Sequence, residues 1–198
     1  MNPPAHYDDL DAGLAHAWAM LARGVADRRS AFRTPTLGTI GVVGSPQVRT
    51  VVLRGCDVGR RTLRFHTDLR SGKVAELQLR PLAALHFYDA GQKLQLRIAG
   101  TTQLHHDDDV ARAAWAASQA MSRACYTQDV APGRPIERAS AIPQAAGVPD
   151  GATTGFDNFV AVVVAVHSIE WLYLGSQGHR RARFTWDGDQ VQATWLAP

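Results

Sequence analysis

At 198 residues the chain has the length of one domain, and its 45% hydrophobic and 20% charged content is typical of a soluble globular protein. Its longest apolar run, Phe159 to Val166, is far too short to cross a bilayer, which excludes a membrane span. The formal charge of +3 is modest and only His179 to Arg183 is densely basic, so the sequence favours an anionic small molecule over nucleic acid as the ligand.

The N-terminal segment, residues 1–33, has apolar residues at three- and four-residue spacings that predict an amphipathic helix over about Tyr7 to Ala31. This helix is expected to pack and to carry no chemistry. Thr36 to Val43 has the pattern of a first strand. Because no helix follows the glycines of this strand, a Rossmann-type nucleotide loop is excluded.

The stretch from Arg49 to Lys73 is the most informative in the chain. Arg49 to Arg54 alternates like a strand, Cys56 to Arg60 forms a turn and Thr62 to Thr67 alternates again, which predicts a hairpin. A helix should follow, with Ser71 as its N-cap.

Arg49 and Lys73 therefore flank a turn that ends at a helix N-terminus, where free N–H groups and the positive end of the dipole favour an anion. A phosphate monoester carries roughly −1.5 to −2 charge at neutral pH, so it needs about two cations and several donors. The guanidinium of Arg49 can bind it bidentately, Lys73 adds a point charge, and Ser71 and Thr67 offer hydroxyls. Either cation alone would be read as a surface charge, but their order predicts a phosphate pocket.

Two further strands follow, a short buried one over Ala83 to Tyr88 and a long one over Lys93 to His105. Alternation in the long strand turns Gln95 away from the apolar stripe, towards water, a ligand or a second subunit. Asp107 is the expected N-cap of the next helix. The apolar face of that helix would comprise Val110, Ala114, Ala117 and Met121.

The last part of the chain begins with a long loop, residues 129–155, which is rich in Pro, Gly and Ala and could act as a lid. Phe159 to Leu174 predicts a long strand whose Val-rich start is buried on both faces. Arg181 to Trp186 and Gln190 to Leu196 should pair as a hairpin across Asp187-Gly188. With six or seven strands and only peripheral helices, the sequence predicts a small antiparallel barrel forming a single domain.

Neither a metal site nor secretion is indicated. His105 to Asp109 is rich in ligand-type residues, but neighbours in sequence point in divergent directions, which is poor geometry for one ion. Cys56 and Cys125 form no disulfide or metal motif, and the chain start lacks the features of a signal peptide. We therefore expect a cytoplasmic protein without a metal.

Four segments of the chain resemble the FMN-binding half of the pyridoxamine 5'-phosphate oxidase family: R-T-V-V-L-R at 49–54, L-R-F-H-T-D at 63–68, R-S-G-K-V-A at 70–75 and P-L-A-A-L-H-F-Y at 81–88. The resemblance runs from about Thr36 to Gly100 and resumes from Phe156 to Pro198. It implies a split β-barrel that dimerises and holds FMN at the dimer interface. The physical argument agrees, because a barrel of six strands is too narrow to hold a ligand inside and a second subunit is the simplest cover for a flat ring on its outer surface.

Carried over residue by residue, the resemblance assigns the phosphate of FMN to Arg49 and Lys73. The backbone of residues 50–53 would line the ring and ribityl chain, while Gln95 and Arg183 would reach the ring. His66 and Thr67 take the place of a Tyr-Thr pair in the family. Together with the phosphate pocket, this gives the expected FMN-binding residues Arg49, Thr50, Val51, Val52, Leu53, His66, Thr67, Ser71, Lys73, Gln95 and Arg183.

The substrate side of the family's site is altered. Gly72 stands where the family often has a second basic residue, and the family's Arg-x-His pair is replaced by His179-Arg180-Arg181. A tryptophan of the family falls at Leu172, and Trp171 cannot substitute because one step along a strand reverses the face. The three residues that would bind the substrate phosphate fall, without gaps, at Ala113, Ala117 and Met121.

These features predict an FMN-dependent oxidoreductase related to pyridoxamine 5'-phosphate oxidase, acting as a homodimer on another small-molecule substrate. A flavin N5 would accept a hydride from that substrate, with His179 or Arg181 as the catalytic residue that orients it. A flavin or heme carrier or sensor on the same barrel is the second hypothesis. An RNA-binding barrel that uses the basic segment 179–183 is the third, and no motif supports a hydrolase.

Overall fold

The computed structural model describes residues 4–137 and 148–198. Its described residues contain four α-helices: α1 (Leu10–Ala26), α2 (Gly72–Leu79), α3 (Asp109–Ala116) and α4 (Ala120–Arg123). They contain nine strands: β1 (Thr36–Ile40), β2 (Pro46–Thr50), β3 (Leu53–Asp57), β4 (Thr62–Asp68), β5 (Leu82–Asp89), β6 (Leu94–His105), β7 (Phe159–Tyr173), β8 (Arg180–Asp187) and β9 (Gln190–Leu196). Short 3₁₀ turns lie at Ala5–Asp8, Ala31–Arg33, Ala124–Tyr126 and Phe156–Asn158.

All nine strands form one antiparallel sheet, in the order β2-β1-β5-β6-β7-β4-β3, with β8 paired to β7 and β9 to β8. The two ends of this order are β2 and β3, yet only Val51 and Val52 separate these strands in the chain. Two residues span less than about 10 Å, so the ends of the sheet must lie side by side and the sheet must curl. The mainly antiparallel, split-barrel class predicted from the sequence is confirmed.

Strand β7 organises the sheet because it pairs along its first half with β4 and along its second half with β8, while β6 runs beside both halves. Its first four residues, Phe159 to Val162, are all fully buried, as the sequence predicted. Val160 and Val162 belong to the main core under α1, whereas Phe159 and Ala161 face a second cluster with Trp115 of α3. Two-sided burial therefore comes from helices on both sides of one strand.

Strands β6 and β7 approach most closely at Gly100. A Cβ atom at this position would lie 2.2 Å from the carbonyl oxygen of Ala165, so a larger residue would force the backbones apart. The register of β6 and β7 shifts here, between Ala99 and Gly100. On the near side of the shift, the predicted alternation holds: Leu94, Leu96 and Ile98 are buried in the core.

The structure corrects the predicted strand pattern. Arg49 to Arg54 is not one strand, because β2 ends at Thr50 and the amide of Val51 donates to the carbonyl of Pro35, 3.0 Å away. The alternation of side chains continues through the break, which is why the sequence did not reveal it. Partly for this reason the described residues hold nine strands instead of six or seven.

The helices also differ from prediction. The first helix is confined to Leu10–Ala26, where Asp9 caps it by accepting from the amide of Ala12. Asp108, not Asp107, is the N-cap of α3, and it also bonds the His105 ring at 2.8 Å. The expected apolar face is wrong at both ends. Val110 lies in the first turn of α3 but is exposed, and α3 stops at Ala116, before Met121, which is also exposed.

The expected loop at 129–155 lies partly outside the described residues. In its described parts, 129–137 and 148–155, no helix or strand is formed. In the part of the chain that the structure describes, no helix has the length and apolar character needed to span a membrane.

Candidate functional site

Arg49, Thr67, Ser71 and Lys73 come together, as predicted, where β4 ends and α2 begins. Arg49 donates from Nη2 to Oε2 of Glu76 at 2.8 Å. Lys73 Nζ donates to Thr67 Oγ1 at 3.0 Å, and this hydroxyl lies 3.1 Å from that of Ser71. We call these five residues, with Thr39, the Arg49/Lys73 cluster.

Thr39 and Glu76 were not predicted, and they complete the cluster. Thr39 is buried between the two charged groups: its hydroxyl accepts from Arg49 and donates to Glu76. The side chain of Glu76 is 11% exposed and that of Arg49 is 23% exposed, so their ion pair is shielded from water. Glu76 lies one turn into α2, and only the packing of that helix against β1, the partner strand of β2, shows that it reaches Arg49.

Local geometry explains why the hydroxyls face the cations. The N-cap of α2 is Ser71, as expected, but its side chain makes no capping hydrogen bond and turns to Thr67 instead.

Burial lowers the pKa of Lys73, and the charge of Arg49 lowers it further, while Glu76 and Asp68 raise it. Lys73 and Arg49 are therefore close enough to repel each other, which is the arrangement a dianion would stabilise.

Arg70 cannot serve as a further cation for this cluster. Its guanidinium binds Asp68 through two nitrogens, at 2.8 and 3.0 Å. The position of the family's second basic residue, Gly72, is exposed, and a Cβ there would meet nothing closer than Glu76 Oε1 at 3.9 Å.

The remaining predicted ring contacts lie on the other face of the sheet. The row that contains Arg49 continues through Leu37, Leu85 and Ile98, all of which face the core. Gln95 is offset by an odd number of residues from Ile98 and therefore points to the opposite face. We call this the outer face; its described residues include Val48, Thr50, Ala84, His86, Tyr88, Gln95, Arg97, Glu170, Leu172, Arg181 and Arg183.

On the outer face, Glu170 binds three arginines. Arg97 and Arg181 donate to one carboxylate oxygen at 3.1 and 2.8 Å, and Arg183 donates to the other at 2.8 and 3.1 Å. Strands β6, β7 and β8 present these residues side by side, because Arg97, Glu170 and Arg183 are direct cross-strand partners. Trp171 is buried in the core and cannot reach this face, as alternation implied.

Of the other predicted residues, Thr50 is exposed, while Val51 and Leu53 are buried around the break between β2 and β3, with Val52 between them. His179 is exposed at the start of the C-terminal hairpin. The chain therefore brings together the residues expected to bind phosphate but separates them from Gln95, Arg181 and Arg183.

His66 faces away from Thr67, into a cavity of about 220 Å³ that the sequence did not reveal. Its ring packs edge-on against Phe159, with centroids 4.8 Å apart. Burial, with the charges of Arg64 and Arg54, lowers the pKa of His66 to about 3. We call this cavity the arginine pocket, after the residues Arg28, Arg33, Arg54 and Arg64 that line it with His66.

The fold and the cluster define an antiparallel split barrel with a cationic cluster at the junction of a strand and a helix. Residues 15–106 match the family model of the pyridoxamine 5'-phosphate oxidase FMN-binding domain. This segment is similar to that FMN-binding domain, and the resemblance read from the sequence motifs is confirmed.

Two relatives illustrate the match. The chain is 33% identical over 90 residues to pyridoxine/pyridoxamine 5'-phosphate oxidase 2 of Arabidopsis thaliana, covering 44% of this chain and 46% of the relative. It is 36% identical over 92 residues to a pyridoxine/pyridoxamine 5'-phosphate oxidase of Hyphomonas neptunium, covering 46% and 40%. The aligned regions thus span less than half of these relatives.

Solved structures extend the likeness of fold to nearly the whole chain. A pyridoxamine 5'-phosphate oxidase-related, FMN binding protein from Nostoc punctiforme superposes with a TM-score of 0.76 at 24% identity, covering 93% of this chain and 96% of that one. PhzG from Burkholderia lata, in complex with tetrahydrophenazine-1-carboxylic acid, gives 0.71 at 21% identity, covering 100% and 98%. At these identities the two structures support the fold alone.

Proposed function

We propose that the protein is an FMN-dependent oxidoreductase related to pyridoxamine 5'-phosphate oxidase, with an altered substrate site. The observation that carries the proposal is the Arg49/Lys73 cluster. A partly buried guanidinium lies close enough to a partly buried ammonium to lower its pKa, and two hydroxyls lie beside that ammonium at the start of α2. All four groups are within the segment that matches the FMN-binding domain.

These residues fit the phosphate of FMN. Among the described residues the Lys73 ammonium donates only to the Thr67 hydroxyl and has no ion pair, so it keeps donors for a ligand. Arg49 is held in place by Glu76 and Thr39, which reduces the entropy lost when it binds a phosphate. Arg49, Thr67, Ser71 and Lys73 would hold this phosphate.

We also propose a homodimer, because the expected ring contacts lie on the face opposite the cluster. A second copy whose outer face meets the junction of β4 and α2 would bring its own Gln95 and Arg183 to the first copy's cofactor, which one protomer cannot do. The outer face is suited to burial: Val48 is 72% exposed and Leu82 50% exposed, on either side of Ala84. Exposed apolar groups of this kind mark interaction surfaces.

Bound FMN supplies the redox chemistry, and the chain supplies binding and orientation. Gln95 would donate or accept a hydrogen bond at the ring. Arg181, fixed by Glu170 at 2.8 Å, would orient an anionic group of the substrate, while exposed His179 could exchange a proton with it. We also propose a location in the reducing cytoplasm, where free thiols such as those of Cys56 and Cys125 persist.

The test begins with the absorption spectrum of the purified protein, before and after addition of FMN, with sedimentation velocity on the same sample. We expect a flavin spectrum, one FMN per chain and a dimer. A protein that stays colourless after FMN is added would contradict the proposal. Bound FMN that no amine, alcohol or nicotinamide donor reduces would instead identify a carrier or sensor.

A further inference from the structure

The arginine pocket draws its four cations from three separate parts of the chain. Arg28 and Arg33 come from the connection between α1 and β1, Arg54 from β3 and Arg64 from β4. The wall opposite is the junction of α3 and α4, with Ala117, Ser118 and Gln119. Residues far apart in sequence thus form one cavity on the side of β4 opposite the Arg49/Lys73 cluster.

Carboxylates do not balance these charges within residues 4–137 and 148–198, where none of the four arginines forms an ion pair. Their partners are neutral: Arg28 donates to the Gln119 amide oxygen, Arg33 to the carbonyl of Val25 at 3.0 Å, and Arg54 to the Ser122 hydroxyl at 3.3 Å.

The charges are close enough to affect one another. Burial lowers the pKa of Arg54, and the charges of Arg33 and Arg28 lower it further. An arginine has a strong preference for its charged form, so all four stay cationic and repel at neutral pH. Such repulsion in a partly dry cavity is relieved when an anion enters.

Gly55 leaves the space that the Arg64 side chain occupies beside the pocket. Gly55 is its direct partner on β3, and a Cβ there would lie 3.1 Å from Arg64 Cβ and 3.3 Å from Nε. Any larger residue would push the guanidinium aside. Arg64 Nε is buried and, among the described residues, has no hydrogen-bond partner, so it remains available as a donor.

His66 adds a neutral polar group to the same wall. Its Nε2 is buried and lacks a partner among the described residues. Since its low pKa keeps the ring uncharged at neutral pH, His66 can make one hydrogen bond without adding charge. Leu53, Val25 and Ala114 supply apolar contact around it.

We propose that the arginine pocket binds a small organic dianion, with two anionic groups on a short apolar body, and that this is the substrate class of the oxidoreductase. The claim that this ligand is a substrate rests on the proposed function, whereas the claim that the pocket binds it does not. One anionic group would meet Arg54 and Arg64 on adjacent strands, and the second would meet Arg28 and Arg33. A cavity of 220 Å³ corresponds to about seven waters of liquid volume, which limits the ligand to a small molecule.

The same cations would repel a ligand with a free ammonium group. Among the described residues these arginines have no ion pair that a ligand would have to displace. A dianion should therefore gain more binding free energy than a monoanion of similar size. Carboxylates and phosphates share the chemistry that guanidinium groups recognise. The source of the anion is therefore left to the experiment.

The test is calorimetric titration of the full chain with succinate, propionate and inorganic phosphate, with FMN uptake measured on the same preparations. We expect succinate to bind at least tenfold more tightly than propionate. Arg64→Gln should weaken succinate binding at least tenfold, whereas Arg60→Gln, an exposed position on the same hairpin, should leave it unchanged. Circular dichroism and unchanged FMN uptake would show that Arg64→Gln is folded.

Phosphate can also bind the Arg49/Lys73 cluster, so Lys73→Gln is the second variant. Phosphate binding that Arg64→Gln abolishes and Lys73→Gln spares supports the pocket and identifies a phosphate as one of the two anionic groups. Absence of binding by both anions, or binding that only Lys73→Gln weakens, would overturn the inference. If succinate binds as expected but FMN is never taken up, the pocket stands and the proposed function fails.

Discussion

The Arg49/Lys73 cluster and the arginine pocket lie on opposite sides of β4, and they differ in how their charge is balanced. In the cluster, Glu76 pairs with Arg49 and hydroxyls surround Lys73. In the pocket, four arginines share only neutral partners among the described residues. Alternation along β4 separates the two, because Thr67 points to one side while Arg64 and His66 point to the other.

Under the proposed function, this difference corresponds to two kinds of ligand. The ion pair with Glu76 and the bond to Thr39 hold Arg49 in place without a ligand, which suits a cofactor that stays bound. The pocket arginines have no ion pair among the described residues, which suits an anionic substrate that must bind and leave. Four predictions test this contrast.

The largest effect should follow removal of both cations of the cluster. Arg49→Ala with Lys73→Ala should weaken FMN binding about a thousandfold, since each charge-assisted hydrogen bond contributes roughly 1.5–3 kcal/mol. Quenching of flavin fluorescence measures the affinity. The matched double variant Arg28→Ala with Arg33→Ala removes the same charge from the pocket and should change FMN affinity less than about threefold. Equal losses of FMN affinity in both double variants would contradict the assignment of FMN to the Arg49/Lys73 cluster and not to the arginine pocket.

The pH dependence of stability should reveal the buried histidine of the pocket. The folded-state pKa of His66 is about 3, below its usual 6.5, so only the unfolded chain binds the proton between these values. Stability should therefore fall as pH decreases below 6.5, by about 2 kcal/mol at pH 5. Urea unfolding of wild type and His66→Leu at several pH values measures this. If the free energies of unfolding of the two proteins depend on pH in the same way, His66 does not differ in pKa between the folded and unfolded chains.

Substitutions on the two sides of β4 should have opposite effects on the free energy of unfolding of the ligand-free protein. Glu76→Gln leaves Arg49 without its counter-charge and should destabilise the fold by about 1–3 kcal/mol. Arg64→Gln removes an unbalanced charge and should stabilise it by up to about 1 kcal/mol. Urea midpoints give both values. A destabilised Arg64→Gln protein would mean that the pocket charge is balanced within the fold.

The smallest effect concerns the missing basic residue of the cluster. Gly72→Arg should tighten FMN binding by roughly threefold to tenfold, because a side chain at this position enters open space and adds a donor near the phosphate. Gly59→Arg adds the same charge at the turn between β3 and β4, at the far end of β4, and should have no effect. The same fluorescence titration distinguishes them.

The sequence by itself determined the alternation of β6 up to Ile98, the two-sided burial at the start of β7 and the proximity of Arg49, Thr67, Ser71 and Lys73. These are local properties, because periodicity assigns faces and because strands, a turn and a helix N-terminus that follow one another stay close. The family resemblance rests on short segments of the same part of the chain, within residues 49–88. The sequence could not show the break at Val51 and Val52, since side-chain alternation continues through it.

Only the tertiary structure decided which charges are balanced. Glu76 reaches Arg49 because α2 packs against β1, the partner strand of β2. Arg28 and Arg33 line one cavity with Arg54 and Arg64 because the chain after α1 returns to the side of β3 and β4. It also placed Gln95 and Arg183 on the face opposite the cluster. Ion pairs depend on distances of a few ångströms between side chains far apart in sequence, and only the folded sheet sets those distances.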